Sequence, residues 1–575
     1  MTSGHHRGPS AAVVRQHGGA ERVYGPTVAD VVGRVLADLG AGHVFGVVGS
    51  GNFVLTEALR QGGVPFTATR HEGGAATMAD AYSRMSGRVG VVSLHQGCGL
   101  TNAMTGIGEA AKSRTPMIVL TADSPAAALR ANFRIDQEAL VRSVGAVSDR
   151  VYSAATAVAD VIRAYRTAVD RRRTVVLNVS IDIAAVSCSV SGPIDMPVPP
   201  ARIRPEAGSV ARLAEALRGA RKPVFVAGRG ARAAGPVLAE LASACGALLA
   251  TSAVANGLFA GDEFALGISG GFASPTSAEL IAGADVLVGW GCALNDWTTR
   301  HGRLIGPHTR VVQVDDEIDA LGAYRPIAFG VLGDCGETAR DVLAELANSV
   351  PIGENGYRTA EIAARIAESA RWQDVPIDDS STAERIDPRA LTVALDGILP
   401  PERIVSIDSG NFMGYPATHL SVPDEFGFCF TQAFQSIGLG LYTALGAAFA
   451  RPGRLPVLGA GDGGFLMAVA ELETAVRAGI PLVAIVYNDS AYGAEVHHFG
   501  NADHTTVTFP ETDIAAIARG FGATGVTVRS IDDLEPVREW VHRYGTAGQS
   551  SPLVIDAKIA SDGGAWWLAE AFAGH

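Results

Sequence analysis

The residues best equipped for chemistry lie in GAGDGGFLMAVAELETAVRAGIPLVAIVYNDSAYG, from Gly459 to Gly493. Asp462 stands among Gly461, Gly463 and Gly464, and after the 24 residues from Gly464 to Tyr487 an Asn488-Asp489 pair opens a second turn. Glycines let the backbone approach a ligand, and a helix beginning at such a turn aims its first N–H groups at an anion, which the macrodipole also favours. Oxygen side chains beside a phosphate suit Mg2+, whose octahedron is shared between a few protein oxygens and phosphate oxygens. A lone GDG is common in turns, so the reading rests on its spacing to the second turn.

For the two turns to meet, the chain between them must be a βαβ unit. LPVLGAG reads as a strand, FLMAVAELETAVRAG as a helix with Leu466, Val469, Leu472 and Val476 on one face, and PLVAIVY as the next strand. Ligands of such sheets bind beyond the carboxyl ends of the strands, where both turns fall. The rest of the chain repeats the alternation. TVADVVGRVLADLG (a helix capped by Thr27), HVFGVVG, FTATR, HEGGAATMADAYSRMSG, VGVVSLHQ, GCGLTNAMTGIGEAAKSR, TPMIVLTADS and TVVLNVSID make a first segment, 26–187. The proline-rich SGPIDMPVPPARIRPEAG reads as a linker. KPVFVAGRGA, GALLATSA, ADVLVGWGCAL and TRVVQVDDE give four strands to a second segment, 205–347. A third, 386–560, runs from ALTVALDGILP through RIVSIDSGNF, FQSIGLGLYTALGAAFA and the opening stretch to SPLVIDAKI. The expected fold class is α/β, with three doubly wound parallel-sheet domains of similar size.

At 575 residues the chain is too long for one core. With 47% apolar and 18% charged residues it leaves no room for extensive disorder, except at residues 1–25, which lack the apolar core of a signal peptide and read as a disordered tail. A net charge of −13 argues against a nucleic-acid surface, and no run of 18 apolar residues marks a membrane span. Six scattered cysteines without a CxxC pair suit free thiols in a reducing cytoplasm. A nicotinamide-dinucleotide fold finds no support, since GRGARAAG lacks the third glycine of GxGxxG.

The spacing from GDG to the second turn closely resembles the thiamine diphosphate fingerprint of the acetolactate synthase and pyruvate decarboxylase superfamily, and the resemblance extends over residues 26–560. RHEGGAA, at Arg70 to Ala76, resembles the family's strand-to-helix turn with its essential glutamate, and QGCGLTNA its GPGxTN turn. GADVLVGWGCALNDWTTRHG is similar to the central domain, and IDSGNF and QSIGLGL to the turns that hold the diphosphate and the aminopyrimidine. The resemblance implies pyrimidine-binding, central and diphosphate-binding domains, with thiamine diphosphate and Mg2+ as cofactors. It also implies a homodimer or dimer of dimers, because in the family the glutamate and the GDG turn reach one cofactor from different subunits.

Roles follow from the same resemblance. Glu72 exchanges a proton with the pyrimidine N1′, a task suited to a carboxyl whose pKa is raised by burial; alone, it would read as a helix N-terminal acid offsetting the macrodipole. Ile437 is the apolar wedge under the cofactor, and the Gln435 carbonyl and Ile437 N–H hold the pyrimidine edge. Gly410, Asn411, Gly461, Gly463 and Gly464 contact the diphosphate, with Tyr492 beside them. Asp462, Asp489 and the Ala491 carbonyl bind Mg2+. Asp489 departs from the family's usual asparagine, remaining an oxygen ligand but adding a negative charge.

What accepts the acyl unit of the 2-oxo acid decides the product. Pyruvate decarboxylases carry an aspartate where this chain has Ser50, and a catalytic acid where it has Glu495. His95 and Gln96, before Gly97, could hydrogen-bond a substrate, as could His497 or His498; each reads equally as a satisfied structural residue. Acetolactate synthases have a phenylalanine-glutamine pair where this chain has Phe133-Arg134, and a tryptophan that AYGAEVHHF lacks. Arg134, turned inward, would favour an acceptor bearing a carboxylate. Flavin-binding relatives have two arginines where GCALNDW has Ala293 and Trp297, so FAD is not expected. The expectation is an acetolactate synthase-like carboligase joining the acyl unit of a 2-oxo acid such as pyruvate to a carbonyl acceptor. A non-oxidative 2-oxo acid decarboxylase is the alternative.

Overall fold

Runs such as MIVLTA and VAIVYN can bury both faces only in a parallel sheet covered by helices on each side. A computed structural model describes residues 26–188, 198, 200–347, 356–548 and 551–571; the expected tail, 1–25, and residues 191–197 and 199 of the proline-rich linker lie outside the described residues. Three six-stranded sheets are present, and every strand pair in them is parallel.

The first holds β1 (His43–Gly46), β2 (Phe66–Ala68), β3 (Gly90–Leu94), β4 (Met117–Asp123), β5 (Val147–Arg150) and β6 (Thr174–Ser180), in the order β2-β1-β3-β4-β6-β5. The second holds β7 (Pro223–Ala227), β8 (Leu248–Thr251), β9 (Ala265–Ile268), β10 (Val286–Trp290), β11 (Arg310–Asp315) and β12 (Phe329–Leu332), in the order β12-β11-β10-β7-β8-β9. The third holds β13 (Arg403–Ile407), β14 (Phe428–Phe430), β15 (Leu455–Gly461), β16 (Val483–Asn488), β17 (Thr524–Val528) and β18 (Leu553–Lys558), in the order β14-β13-β15-β16-β18-β17. The first and third sheets thus share one topology, and the middle one has the dinucleotide-fold order.

The central segment has six strands where four were expected, because β9 and β12 are four-residue edge strands, each buried on one face only. The predicted helix after Gly464 is also broken. Its first piece, Asp462–Ala468, gives way to a 3-10 turn at Val469–Glu471 before Leu472–Arg477. The break turns the Glu471 carboxylate inward, where it accepts the backbone N–H groups of Arg70 (2.7 Å) and His71 (3.0 Å).

Four helices position the site: α1 (Glu72–Ser86), α2 (Cys98–Lys112), α3 (Gly440–Ala450) and α4 (Asp462–Ala468). Small residues let α1 and α3 pack closely, and a Cβ added at Gly446 would lie 2.3 Å from the Met78 carbonyl oxygen. Ala75, Met78 and Ala79 share one core with Leu441, Ala444 and Leu445, so the first and third sheets are joined by a common interior. The central segment meets the first through ion pairs of Arg172 with Asp316 and of Arg173 with Glu317 (3.1 Å).

Candidate active site

In the third sheet the chain runs to opposite sides from β13, and the crevice at such a switch opens where β13 and β15 end. Asp408, just past β13, is buried there, and burial pushes its carboxyl up to about 6. It accepts N–H groups from Ser409 (2.7 Å) and Gly438 (2.9 Å), and a Cβ at Gly464 would come 2.4 Å from its Oδ2. Asp408 therefore binds together the turn after β13, the loop before α3 and the start of α4. Sequence reasoning quoted its motif but overlooked it; an acid at a strand's carboxyl end was the available signal.

Asp462 opens α4 directly after β15, and its buried Oδ1 has no hydrogen-bond partner. Asp489, which follows β16, stands beside it, and the two carboxyls influence each other. Burial raises both, to about 6 for Asp462 and, with the charge of Asp462 added, to about 7 for Asp489. The Ala491 N–H donates to Asp489 Oδ1 at 3.2 Å, and Ser490 between them sits at φ 60°, a left-handed conformation uncommon outside glycine. Asn488 turns the other way: its Nδ2 donates to Asp556 Oδ1 (2.8 Å) while its Oδ1 accepts from the Ser490 N–H (3.1 Å). Two buried acids with an orphaned oxygen fit a divalent cation, which would relieve their mutual repulsion. Among the described residues no three His, Cys, Asp or Glu side chains assemble into a metal cage, so such a cation would need further oxygens from a ligand.

Gly410, Asn411, Gln435, Ile437, Gly461, Asp462, Gly463, Gly464, Asp489, Ala491, Tyr492 and Glu495 all line one cavity of about 1490 Å³. Ser252 Oγ, Trp297 Nε1 and Gln432 Nε2, buried without partners, line it too, as do Gly228 and Gly291 at the ends of β7 and β10. Ile437, on the cavity wall, keeps 38% of its surface exposed. Residues beyond Ala560 close one side: Trp567 Nε1 donates to the Asn411 carbonyl (3.0 Å), and Leu568 lines the wall. No motif had set this stretch apart from an ordinary tail.

Glu72, His95 and Gln96 are elsewhere, in a second cluster at the ends of β2 and β3. Asn102 Nδ2 donates to Glu72 Oε2 (3.0 Å), and His95 packs edge-on against Phe133, with centroids 4.7 Å apart. Gln96 is buried with its Oε1 unpartnered. Gly49 and Gly51, which flank Ser50, pack against His95 and Gln96 respectively. Arg134 is exposed, and its guanidinium donates to the carbonyls of Pro125 (3.2 Å) and Ala126 (3.4 Å) in its own loop. His497 packs on Gly564 and His498 on Phe499.

Both clusters fall in segments that match known proteins. Residues 26–165 match the N-terminal TPP-binding domain of thiamine pyrophosphate enzymes, 210–342 their central domain and 408–557 their C-terminal TPP-binding domain. A sulfoacetaldehyde acetyltransferase of Rhodobacter capsulatus is 30% identical over 87% of this chain and 89% of its own length. The chain belongs to the thiamine diphosphate-dependent enzymes of the acetolactate synthase and pyruvate decarboxylase superfamily. A probable 2-ketoarginine decarboxylase of Pseudomonas aeruginosa is 28% identical (91% of this chain, 92% of that protein). The acetolactate synthase large subunit of Haemophilus influenzae is 25% identical (88% and 90%). In this thiamine diphosphate-dependent enzyme, the N-terminal match carries the Glu72 cluster and the C-terminal match the Asp462 cavity.

Proposed function

We propose that this enzyme is a carboligase that passes the acyl unit of a 2-oxo acid such as pyruvate to a carbonyl acceptor, acting as a homodimer or dimer of dimers. When bound, thiamine diphosphate supplies the carbon nucleophile and the electron sink for loss of carbon dioxide. Asp462, Asp489 and the Ala491 carbonyl would hold Mg2+ against the diphosphate, which the turns at Gly410, Asn411, Gly463 and Gly464 would contact. Ile437 would support the bend of the cofactor, and the Gln435 carbonyl would accept a hydrogen bond from the pyrimidine edge. Glu72 of a second copy would exchange a proton at the pyrimidine N1′, with Asn102 fixing its Oε2. Six unpaired cysteines support a reducing, cytoplasmic setting.

The observation that carries the carboligase reading is the make-up of the cluster around Glu72. Ser50, His95 and Gln96 stand there and none is a carboxylic acid, so release of an aldehyde lacks one proton donor while a second carbonyl can still be held by hydrogen bonds. Relatives named acetyltransferase and acetolactate synthase support acyl transfer. Decarboxylation to free aldehyde is the second reading, favoured by Glu495 on the cavity wall and by a relative named decarboxylase. Mass spectrometry of products from labelled pyruvate, with aldehydes or 2-oxo acids as acceptors, separates the two. Hydroxyketones or acetohydroxy acids should exceed aldehyde in the wild type and remain in Glu495→Gln; aldehyde as the main product with acceptor in excess selects the decarboxylase.

A further inference from the structure

The loop from Thr431 to Leu439 has no regular structure, yet it carries Gln435 and Ile437 into the cavity, with Gln435 at φ 56°. A strained irregular segment keeps its shape only when its surroundings over-determine it. Asp408 holds the Gly438 end, and the grip on the middle of the loop comes from outside its own sheet. Glu109 of α2 accepts the Ala433 N–H at Oε1 (3.1 Å) and the Phe434 N–H at Oε2 (2.7 Å), and Arg84 of α1 donates to the Phe430 carbonyl (2.8 Å). The Phe434 ring lies where a Cβ at Gly108 would come within 2.8 Å of it, and Lys112 Nζ stands 5.3 Å from the ring centroid.

Glu109 and Asp80 are fully buried, and Arg84, between them, is 5% exposed and hydrogen-bonds both. Two acids against one cation form an expensive group to bury, and its removal in part leaves an uncompensated charge. A cluster of this kind is poor as adhesive but good at fixing a conformation, because each Glu109 oxygen meets one particular backbone N–H.

Resting on the cofactor reading above, we propose that Glu109, held by Arg84, is a positioning residue for the pyrimidine half of the cofactor: it shapes the loop that presents Gln435 and Ile437, and leaves the diphosphate half to the turns around Asp462. The group recognised is a heteroaromatic ring linked to a diphosphate, and the clamp acts only on the ring.

Two probes separate this role from general domain adhesion: thiamine diphosphate and inorganic diphosphate, each titrated calorimetrically into the full-length protein with Mn2+. In Glu109→Gln, where an amide NH2 faces one loop N–H, the Kd for thiamine diphosphate should rise about tenfold or more, as expected for losing a hydrogen bond to a charged group, while that for inorganic diphosphate stays within about twofold. Gly108→Ala, which pushes the Phe434 ring while leaving the ion cluster intact, should give the same split and serves if the first variant does not fold. Equal weakening of both probes, or no change in either, overturns the clamp with the cofactor reading intact. A wild type that binds neither probe overturns both.

Discussion

Glu72 and Asp462, which a single cofactor would need together, are held in separate clusters of one chain, the first on α1 beside Asn102 and the second in the cavity. Glu72→Gln should cut turnover by about 100- to 10,000-fold, and Asp462→Ala, which removes a proposed Mg2+ ligand, should also lose most turnover. If the working site forms between copies, co-expressing the two variants should restore about a quarter of wild-type activity, because half the dimers are mixed and each mixed dimer has one intact site. No recovery in purified mixed dimers would place both residues in one chain's site and sink the two-copy arrangement. That Asp462 and Asp489 come together was legible because each follows a strand of one βαβ unit, and those strands are neighbours in the sheet. Asp408 and Glu109 were not, since each acts by accepting backbone N–H groups from a distant segment, and nothing in a carboxylate's neighbours shows which amide it will meet. The placing of Arg134 was not legible either: its charge suggested a substrate, and carbonyls of its own loop accept two hydrogen bonds from it.

β1 illustrates how an element at the junction of two sheets becomes sensitive to acid. His43, at its start, hydrogen-bonds Thr67 Oγ1 through Nε2 (2.8 Å) and lies 4.5 Å from the Phe45 ring and 4.8 Å from Phe449 of α3. Burial lowers its imidazole to about 4. Above pH 6.5 the ring is neutral folded or unfolded and nothing is lost. As pH falls toward 4 only the unfolded chain takes up the proton, so stability drains away, by about 2 kcal/mol at pH 5 from this residue. His43→Gln, which keeps a partner for Thr67, should show a smaller fall in melting temperature between pH 7 and pH 5 than the wild type; equal falls would remove His43 as the cause. The interior strands were readable because their apolar runs are continuous. Those missed, β5, β9, β12, β14 and β17, are all at sheet edges, where one side lacks a neighbour and burial no longer demands an unbroken apolar run. The helix after Gly464 was read as one piece because periodicity carries no sign of the Glu471 contact that breaks it.

Taken whole, the molecule is a pair of like sheets fused through α1 and α3, with a third sheet whose main cores are drawn from residues near it in sequence and which, among the described residues, lends only Ala253, Ile268 and Phe272 to the buried core of the C-terminal sheet. Unfolding should therefore have two stages, the central segment opening separately while the first and third lose structure together. Hydrogen exchange would place β3, β4, β15 and β16 in one protection class and β7 and β10 in another; loss of β3 and β4 well before β15 and β16 would contradict the shared core. No helix among the described residues is long and apolar enough to cross a membrane. The close contact of Gly446 with Met78 bears on how the protein is made. The first sheet is complete in the nascent chain once β6 has been synthesised, but the α1 face bearing Gly74, Met78 and Ala81 meets its cover only when α3 emerges. At about 5–20 residues per second, a ribosome needs on the order of tens of seconds to span that interval. For that time an apolar stripe waits uncovered outside the exit tunnel, which makes the half-translated chain the form of this enzyme most in need of a chaperone.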